Sequence, residues 1–193
     1  MHIIGVDEAG RGPLAGPVVV GAVALPLGFR LRRAPGELRD SKRLTRLMRE
    51  RWFAYIMNTP DIRAAVSFVT PGVIDRIRIT RATNLAATRA VLRLEQSGIH
   101  VRQARIFTDG LLRLACRLPY REVIGGDELL RTIQLASIVA KVTRDRRMER
   151  LHERYPAYGF ARHKGYGTKE HYRMIHQHGP SEVHRLTFLE EVM

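Results

Sequence analysis

The sequence predicts an α/β domain in which a mixed central sheet is flanked by helices, and three observations carry that reading. The chain opens with two apolar β-type runs, residues 3–6 and 18–24, around a loop rich in glycine and proline, which reads as strand, loop, strand. Further apolar runs lead to Asp109 and to Asp127, so a carboxylate again follows a hydrophobic stretch. Between these runs lie segments with apolar residues at helical spacing. At 193 residues and 45% hydrophobic content, with no low-complexity tract, residues 1–193 are sized for one compact domain.

The opening stretch carries the densest chemistry. Asp7 and Glu8 close the first strand, where an acid pair is costly to desolvate unless a cation or donors offset the charge. A metal site and a solvated turn both answer that constraint. Gly10-Arg11-Gly12 then adds flexible backbone whose N–H groups can approach a phosphate, together with a guanidinium. Acids for a metal and an arginine for phosphate point to phosphodiester chemistry. A dinucleotide-binding glycine loop is excluded, because that motif opens a helix, whereas Pro13 and Pro17 interrupt this loop and a β-branched run follows it. In a regular strand Asp7 and Glu8 point to opposite faces, so the strand must bend there or Glu8 must contribute differently.

In chain order, residues 25–37 carry Pro26, Gly28, Pro35 and Gly36 and predict a loop bearing Arg30, Arg32 and Arg33. Thr45 suits the N-cap of a helix to about residue 57, with Leu47, Met48, Trp52, Tyr55 and Ile56 inward. Residues 64–69 predict a third strand paired to the hairpin. Pro71 turns the chain into a helical region to about residue 96, with Ala82, Leu85, Ala86 and Leu92 on one face, stopped by Ser97-Gly98. The runs ending at Asp7, Asp109 and Asp127 fit neighbouring strand ends that converge on one crevice. A long helix over residues 133–155 follows, with small residues suited to close packing on the sheet. For Lys141 within it, a solvated position and a structural role near the site weigh evenly. Residues 155–168 interleave aromatics with bases, a mixture that suits stacking on sugars or bases plus phosphate contact, with Tyr155 and Phe160 in the core. Thr168 suits the cap of a last helix to about residue 178.

Composition narrows the class of function. The longest apolar run, residues 18–27, is too short to span a membrane, and the early acids do not fit a signal peptide, so the expectation is a soluble cytoplasmic protein. Cys116 is the only cysteine, and no Cys or His cluster has zinc spacing. Any metal should therefore be a hard one on oxygen ligands, Mg2+ or Mn2+. A formal charge of +14 and a pI near 11 imply a polyanionic partner, nucleic acid ahead of an anionic membrane surface. Only four of the 33 basic residues are lysine, at 42, 141, 164 and 169.

The string Gly5-Val6-Asp7-Glu8-Ala9-Gly10-Arg11-Gly12-Pro13-Leu14-Ala15-Gly16-Pro17-Val18-Val19 resembles the opening signature of ribonuclease HII. Further blocks resemble that family at Asp40-Ser41-Lys42, at residues 136–142, around Tyr166, and at His184-Arg185-Leu186-Thr187-Phe188. The resemblance implies a ribonuclease H-like α/β fold with a helical C-terminal segment. It implies endonucleolytic hydrolysis of the RNA strand of RNA/DNA hybrids and of ribonucleotides embedded in duplex DNA, by a monomer, leaving 5′-phosphate and 3′-hydroxyl ends. Asp7, Glu8, Asp109 and Asp127 would be the catalytic residues and hold two divalent ions. Gly10, Arg11, Gly12, Ser41, Lys42, Lys164 and Tyr166 would contact substrate. For Ser41, a turn or cap role is an equal alternative.

The chain departs from the family pattern at four places. Arg78 stands for an expected Asn, and Leu111 for an Asn after the third acid. Around the fourth acid Gly125-Gly126-Asp127-Glu128 replaces Lys-Gly-Asp-Ser, which makes that part of the site more negative. Ribonuclease HIII is a runner-up, but it usually carries a separate N-terminal substrate-binding domain, for which the six residues before Asp7 leave no room. A non-catalytic nucleic-acid-binding module explains the charge but not three acid-ended strands.

Overall fold

The computed structural model describes residues 1–39, 41–110, 112–115, 117–126 and 130–190. Among them, five strands form one mixed sheet: β1 (His2–Ala9), β2 (Val18–Pro26), β3 (Arg63–Val69), β4 (Arg105–Asp109) and β5 (Tyr120–Val123). Their order is β3-β2-β1-β4-β5. The hairpin β1–β2 and the β2–β3 pair are antiparallel, and β4 and β5 continue the sheet parallel to β1. This is the mixed sheet with flanking helices that the sequence predicts. Strand β2 lies between two neighbours and is buried nearly throughout, which is why it reads as a continuous apolar run.

The helices are α1 (Arg46–Asn58), α2 (Pro71–Ile77), α3 (Ile79–Glu95), α4 (Arg131–Arg154), α5 (Phe160–His163), α6 (Lys169–His178) and α7 (Leu186–Leu189). Thr45 caps α1 by accepting from the Met48 amide, and Thr168 caps α6 by accepting from the His171 amide. The helical region after Pro71 is two helices rather than one. It breaks at Arg78, whose φ of 69° and ψ of 155° leave helical space. That combination is one essentially only glycine adopts readily, so the departure from the family pattern falls at a strained backbone position.

The two faces of the sheet are packed differently. On one, Ile4, Val6, Val18 and Val20 meet Ala82, Ala86, Ala90 and Leu94 of α3. The alanine stripe at fourfold spacing is the buried face, and Leu92, expected inward, is exposed. On the other, Val23 and Leu25 meet Trp52 and Ile56 of α1 and Leu135, Ile138 and Val139 of α4. Leu47, also expected inward, is 61% exposed, because it lies in the first turn of α1 and away from the Trp52–Ile56 face.

Helix α4 lies almost on the strand backbone. A Cβ on Gly5 would stand 2.2 Å from the Thr132 carbonyl carbon, and one on Gly21 2.5 Å from the Ala136 oxygen. Glycine is required at both positions by this approach, since neither neighbour is a side chain that can move aside. A third cluster joins Leu14 and Ala15 of the opening loop to Met148, Tyr158, Phe160, Ile175 and Leu189 of the C-terminal part. No helix among the described residues is long and apolar enough to cross a membrane.

The Gly5→Ala substitution should therefore destabilise by about 3 kcal/mol, the upper part of the overpacking range, and lower the melting temperature by roughly 10 °C. Gly72→Ala, where an added Cβ meets nothing within 4 Å, should change it little. Thermal unfolding followed by circular dichroism compares the two, and equal melting temperatures would contradict the close packing of α4.

Candidate active site

The parallel ladder between β1 and β4 pairs Ile3 with Arg105 and ends at Val6 with Thr108. One residue further on, the same register sets Asp7 beside Asp109 at the C-terminal ends of two neighbouring strands. Strands so paired lie about 4.8 Å apart, so the backbone itself brings the two carboxylates together. Both line one cavity of about 280 Å³ with Glu8, Gly10, Arg11, Gly12, Ser41, Lys42 and Tyr166, and with Ser137, Lys141 and Arg144 from α4. A larger hollow of about 500 Å³, between residues 104–107 and 119–121, has no carboxylate in its walls.

Strand β1 does not bend at the acid pair. Its antiparallel register with β2 runs unbroken from His2 opposite Pro26 to Ala9 opposite Val19. The β1–β4 ladder ends at Val6 and β4 itself ends at Asp109, so no part of β4 flanks Glu8, which lines the same cavity as Asp7. Of the two routes the sequence allowed for Glu8, this is the second.

Asp7 is only 4% exposed. Burial, then the charges of Glu8 and Asp109, push its carboxyl well above the ordinary carboxylate range, while the Ser137 hydroxyl and the Glu8 amide bond it and pull the other way. The Ser137 hydroxyl also bonds that of Ser41 at 2.6 Å, which places the buried Ser41 behind Asp7. Glu8 is raised chiefly by burial and also by Asp109, against Arg11 at 3.9 Å and Lys42, which lower it. Asp109 accepts a bond of 2.7 Å from the Gly126 amide, and a Cβ at Gly126 would stand 2.4 Å from Ile133. Strand β5 ends at Val123, and Ile124 is 88% exposed in the turn beyond it. The expected acid-ended third strand is thus corrected to a short strand followed by a turn, and Asp127 lies outside the described residues, as do Asp40, Leu111, Cys116 and Glu128. Among the described residues, no three His, Cys, Asp or Glu side chains form a ready-made ion cage.

Lys164 stands apart from the other expected substrate contacts. Its ammonium donates to Glu149 at 2.9 Å and to the Ala161 carbonyl at 2.8 Å, and it is not in the cavity wall. Only its carbonyl faces the site, accepting from Arg144. Lys141 lines the cavity while paired with Asp145 at 2.9 Å. Tyr166 is 46% exposed, with the Arg144 guanidinium 5.7 Å from its ring centre. Its glycine neighbours permit this placement: a Cβ on Gly165 would meet the Ala15 oxygen at 2.5 Å, and one on Gly167 the Tyr172 hydroxyl at 2.7 Å.

Three histidines that the sequence reading did not single out hold the Tyr166 turn. The Ser181 amide donates to His184 Nδ1, so that ring carries its proton on Nε2 and donates it to His171 Nε2 at 3.1 Å. His171 Nδ1 in turn donates to the Tyr166 carbonyl at 2.9 Å. His163 accepts from the Gly165 amide and donates to the Tyr158 carbonyl. Each ring accepts a bond at one nitrogen and so must be neutral, and burial, the leading cause, lowers His171 and His184 to about 4. A signal was available, since six of the eight histidines fall between residues 152 and 184.

Unfolded imidazoles titrate near 6.5, so between about pH 6.5 and 4 the unfolded chain binds more protons than the folded one. The contribution of His171 and His184 to stability is full above that window and falls with acidification through it, by on the order of 1 kcal/mol per pH unit for each ring. The raised Asp7 carboxyl acts with the opposite sign, so the direct check is imidazole NMR. Both rings should keep neutral-state shifts down to about pH 5, and a ring titrating near 6.5 in the folded chain would overturn the assigned tautomers.

Similarity to known proteins extends over nearly the whole chain. The family model described as ribonuclease HII matches residues 4–191. The ribonuclease HII of Desulfitobacterium hafniense (strain DSM 10664 / DCB-2) is 46% identical over 188 residues, covering 97% of this chain and 68% of its own. That of Bacillus anthracis (strain CDC 684 / NRRL 3495) is 45% identical over 187 residues, with the same coverage of each chain. Among solved structures, the ribonuclease H2 of Pyrococcus horikoshii OT3 superposes with a TM-score of 0.77 at 27% identity, covering 97% of this chain and 93% of its own. Bst-RNase HIII in complex with Mn2+ has a TM-score of 0.75 at 21% identity over 93% of this chain and 63% of its own, a likeness of fold alone.

Proposed function

The chain belongs to the ribonuclease HII family and is an endoribonuclease acting on RNA/DNA hybrids, and on that premise we propose that Asp7, Glu8, Asp109 and Asp127 hold its divalent metal. The observation that carries this is the pairing of Asp7 with Asp109 at adjacent strand ends, in one cavity with the Gly10-Arg11-Gly12 loop and Tyr166. The donors fit the group: they are all carboxylate oxygens, and Asp7 is buried among like charges that a cation would offset. Members of the family depend on a divalent metal, and we assign Mg2+ or Mn2+ on the chemistry of these ligands. When bound, such ions activate the attacking water and stabilise the leaving 3′-oxygen, giving 5′-phosphate and 3′-hydroxyl ends.

The chain's own residues do the rest. Ser137, backed by Ser41, fixes the rotamer of Asp7. Lys42 and Arg11, on the cavity wall, take phosphate oxygens of the cleaved strand without reading sequence. The backbone of Gly10-Arg11-Gly12 approaches the 2′-hydroxyl in the shallow minor groove. Tyr166 sets its exposed ring against the sugar on the 3′ side, where a second 2′-hydroxyl would be crowded, so ribonucleotides embedded in duplex DNA are substrates as well as hybrids. Lys164 has no part in this scheme, because Glu149 already holds its ammonium. We place the enzyme in the cytoplasm as a monomer.

Asp109→Asn removes ligand charge at constant volume. It should keep the fold and hybrid binding and lose nearly all cleavage, and a rate within a few-fold of the parent in Mg2+ with substrate in excess would remove Asp109 from the ligand set. Tyr166→Ala should reduce cleavage of a single embedded ribonucleotide far more than that of an all-RNA strand in a hybrid. Equal losses on both substrates together with a lower melting temperature would make Tyr166 a packing residue.

A further inference from the structure

Two arginines, Arg144 and Arg185, are fully buried, yet among the described residues neither is hydrogen-bonded to a carboxylate. Their partners are carbonyl oxygens of the opening loop and, for Arg144, also that of Lys164. Arg185 donates from Nη2 to Gly10 at 2.6 Å, from Nη1 to Arg11 at 2.7 Å and from Nε to Gly16 at 3.0 Å. Arg144 donates from Nε to Pro17 at 3.2 Å and from Nη2 to Ala15 and Lys164. Gly10 has a φ of 93°, and a Cβ there would stand 1.9 Å from Arg144 Nε, so glycine at this position makes room for the Arg144 side chain.

In a trans peptide the carbonyl of one residue and the N–H of the next point in opposite directions. With the Gly10 and Arg11 carbonyls drawn onto Arg185, the amides of Arg11 and Gly12 are turned away from it, and these residues line the cavity. Among the described residues neither amide has a protein acceptor. We propose that Arg185 is a positioning residue for ribose recognition: its grip on the Gly10 and Arg11 carbonyls presents the Arg11 and Gly12 N–H groups to the 2′-hydroxyl of the substrate. Guanidinium suits this task because its fixed fork reaches three carbonyls at once, which a lysine ammonium cannot do in the same geometry. The inference rests on the reading that this loop contacts the ribose.

Binding is measured by fluorescence anisotropy in the Asp109→Asn background, which prevents cleavage, with two duplexes of one sequence, all-DNA or carrying a single ribonucleotide. The Asp109→Asn protein should prefer the ribonucleotide duplex, and no preference would overturn the reading of the loop and the inference with it. Adding Arg185→Lys should lower that preference about tenfold, as expected for loss of one well-placed polar contact, with affinity for the all-DNA duplex unchanged. A preference that survives, or an equal loss on both duplexes, would overturn the role of Arg185 while leaving the reading of the loop intact. If the lysine variant melts below the assay temperature, the same comparison of the two duplexes is made below its melting temperature, where the variant is folded. Loss of preference there supports the proposal and retention overturns it.

Discussion

The approach of α4 to the backbone of β1 and β2, permitted by Gly5 and Gly21, is the contact on which the site depends. Side chains on α4 at residues 137, 141 and 144 fall on one helical face, and only at this short separation does that face stand over the strand ends. Ser137 then reaches Asp7, and Arg144 reaches the loop that follows β1. A helix held off by even one methyl group would leave the acids supported by β4 alone. The spacing of Asp7 and Asp109 is set by a hydrogen-bond ladder and the orientation of Asp7 by a helix, so two separate devices fix one pair of carboxylates.

Much of this was legible in the residues. The hairpin, the edge strand at Arg63–Val69, the capped helices and the crevice shared by Asp7 and Asp109 all follow from local pattern, because apolar alternation and cap chemistry act over a few residues. What escaped depends on partners distant in sequence. Leu47 and Leu92 have helical spacing, but which helical face is buried is decided by what packs there. Lys164 looks like a phosphate ligand until Glu149, 15 residues earlier on α4, is found holding it. The roles of Arg185 and of the histidine chain escaped for the same reason: the crowding of histidines marks the region, but nothing next to these residues announces that their partners are carbonyl oxygens and other imidazoles. The acid pair was read correctly as unusual, and the flank left open beside Glu8 is a property of β4, not of β1.

The choice of partners for the buried arginines has an electrostatic result. Had carboxylates satisfied Arg144 and Arg185, each positive charge would be cancelled locally. Backbone carbonyls take the donors, Arg144 Nη1 excepted, while leaving the net charge in place, so both cations add to the positive potential around a cavity that also holds Asp7, Glu8 and Asp109. Burial, with the neighbouring Arg144 charge second, lowers Arg185 to about 9, so it is still charged at neutral pH. That field favours a polyanion over the cavity while the carboxylates are left to a metal.

The loop from Gly10 to Pro17 is bonded to the far end of the chain, through a bridge between Ala15 and His184, the Arg185 amide on the Leu14 carbonyl, and the Gly16 amide on the Val183 carbonyl. These contacts span some 169 positions of sequence, and few separations in a chain of 193 are longer. Synthesis therefore imposes an order of events. A ribosome-bound chain can complete the sheet and lay down α4 while the loop that faces nucleic acid still lacks its clamp, because residues 183–185 clear the exit tunnel after both. The loop therefore takes its final form only after the sheet and α4 it is clamped beside are in place.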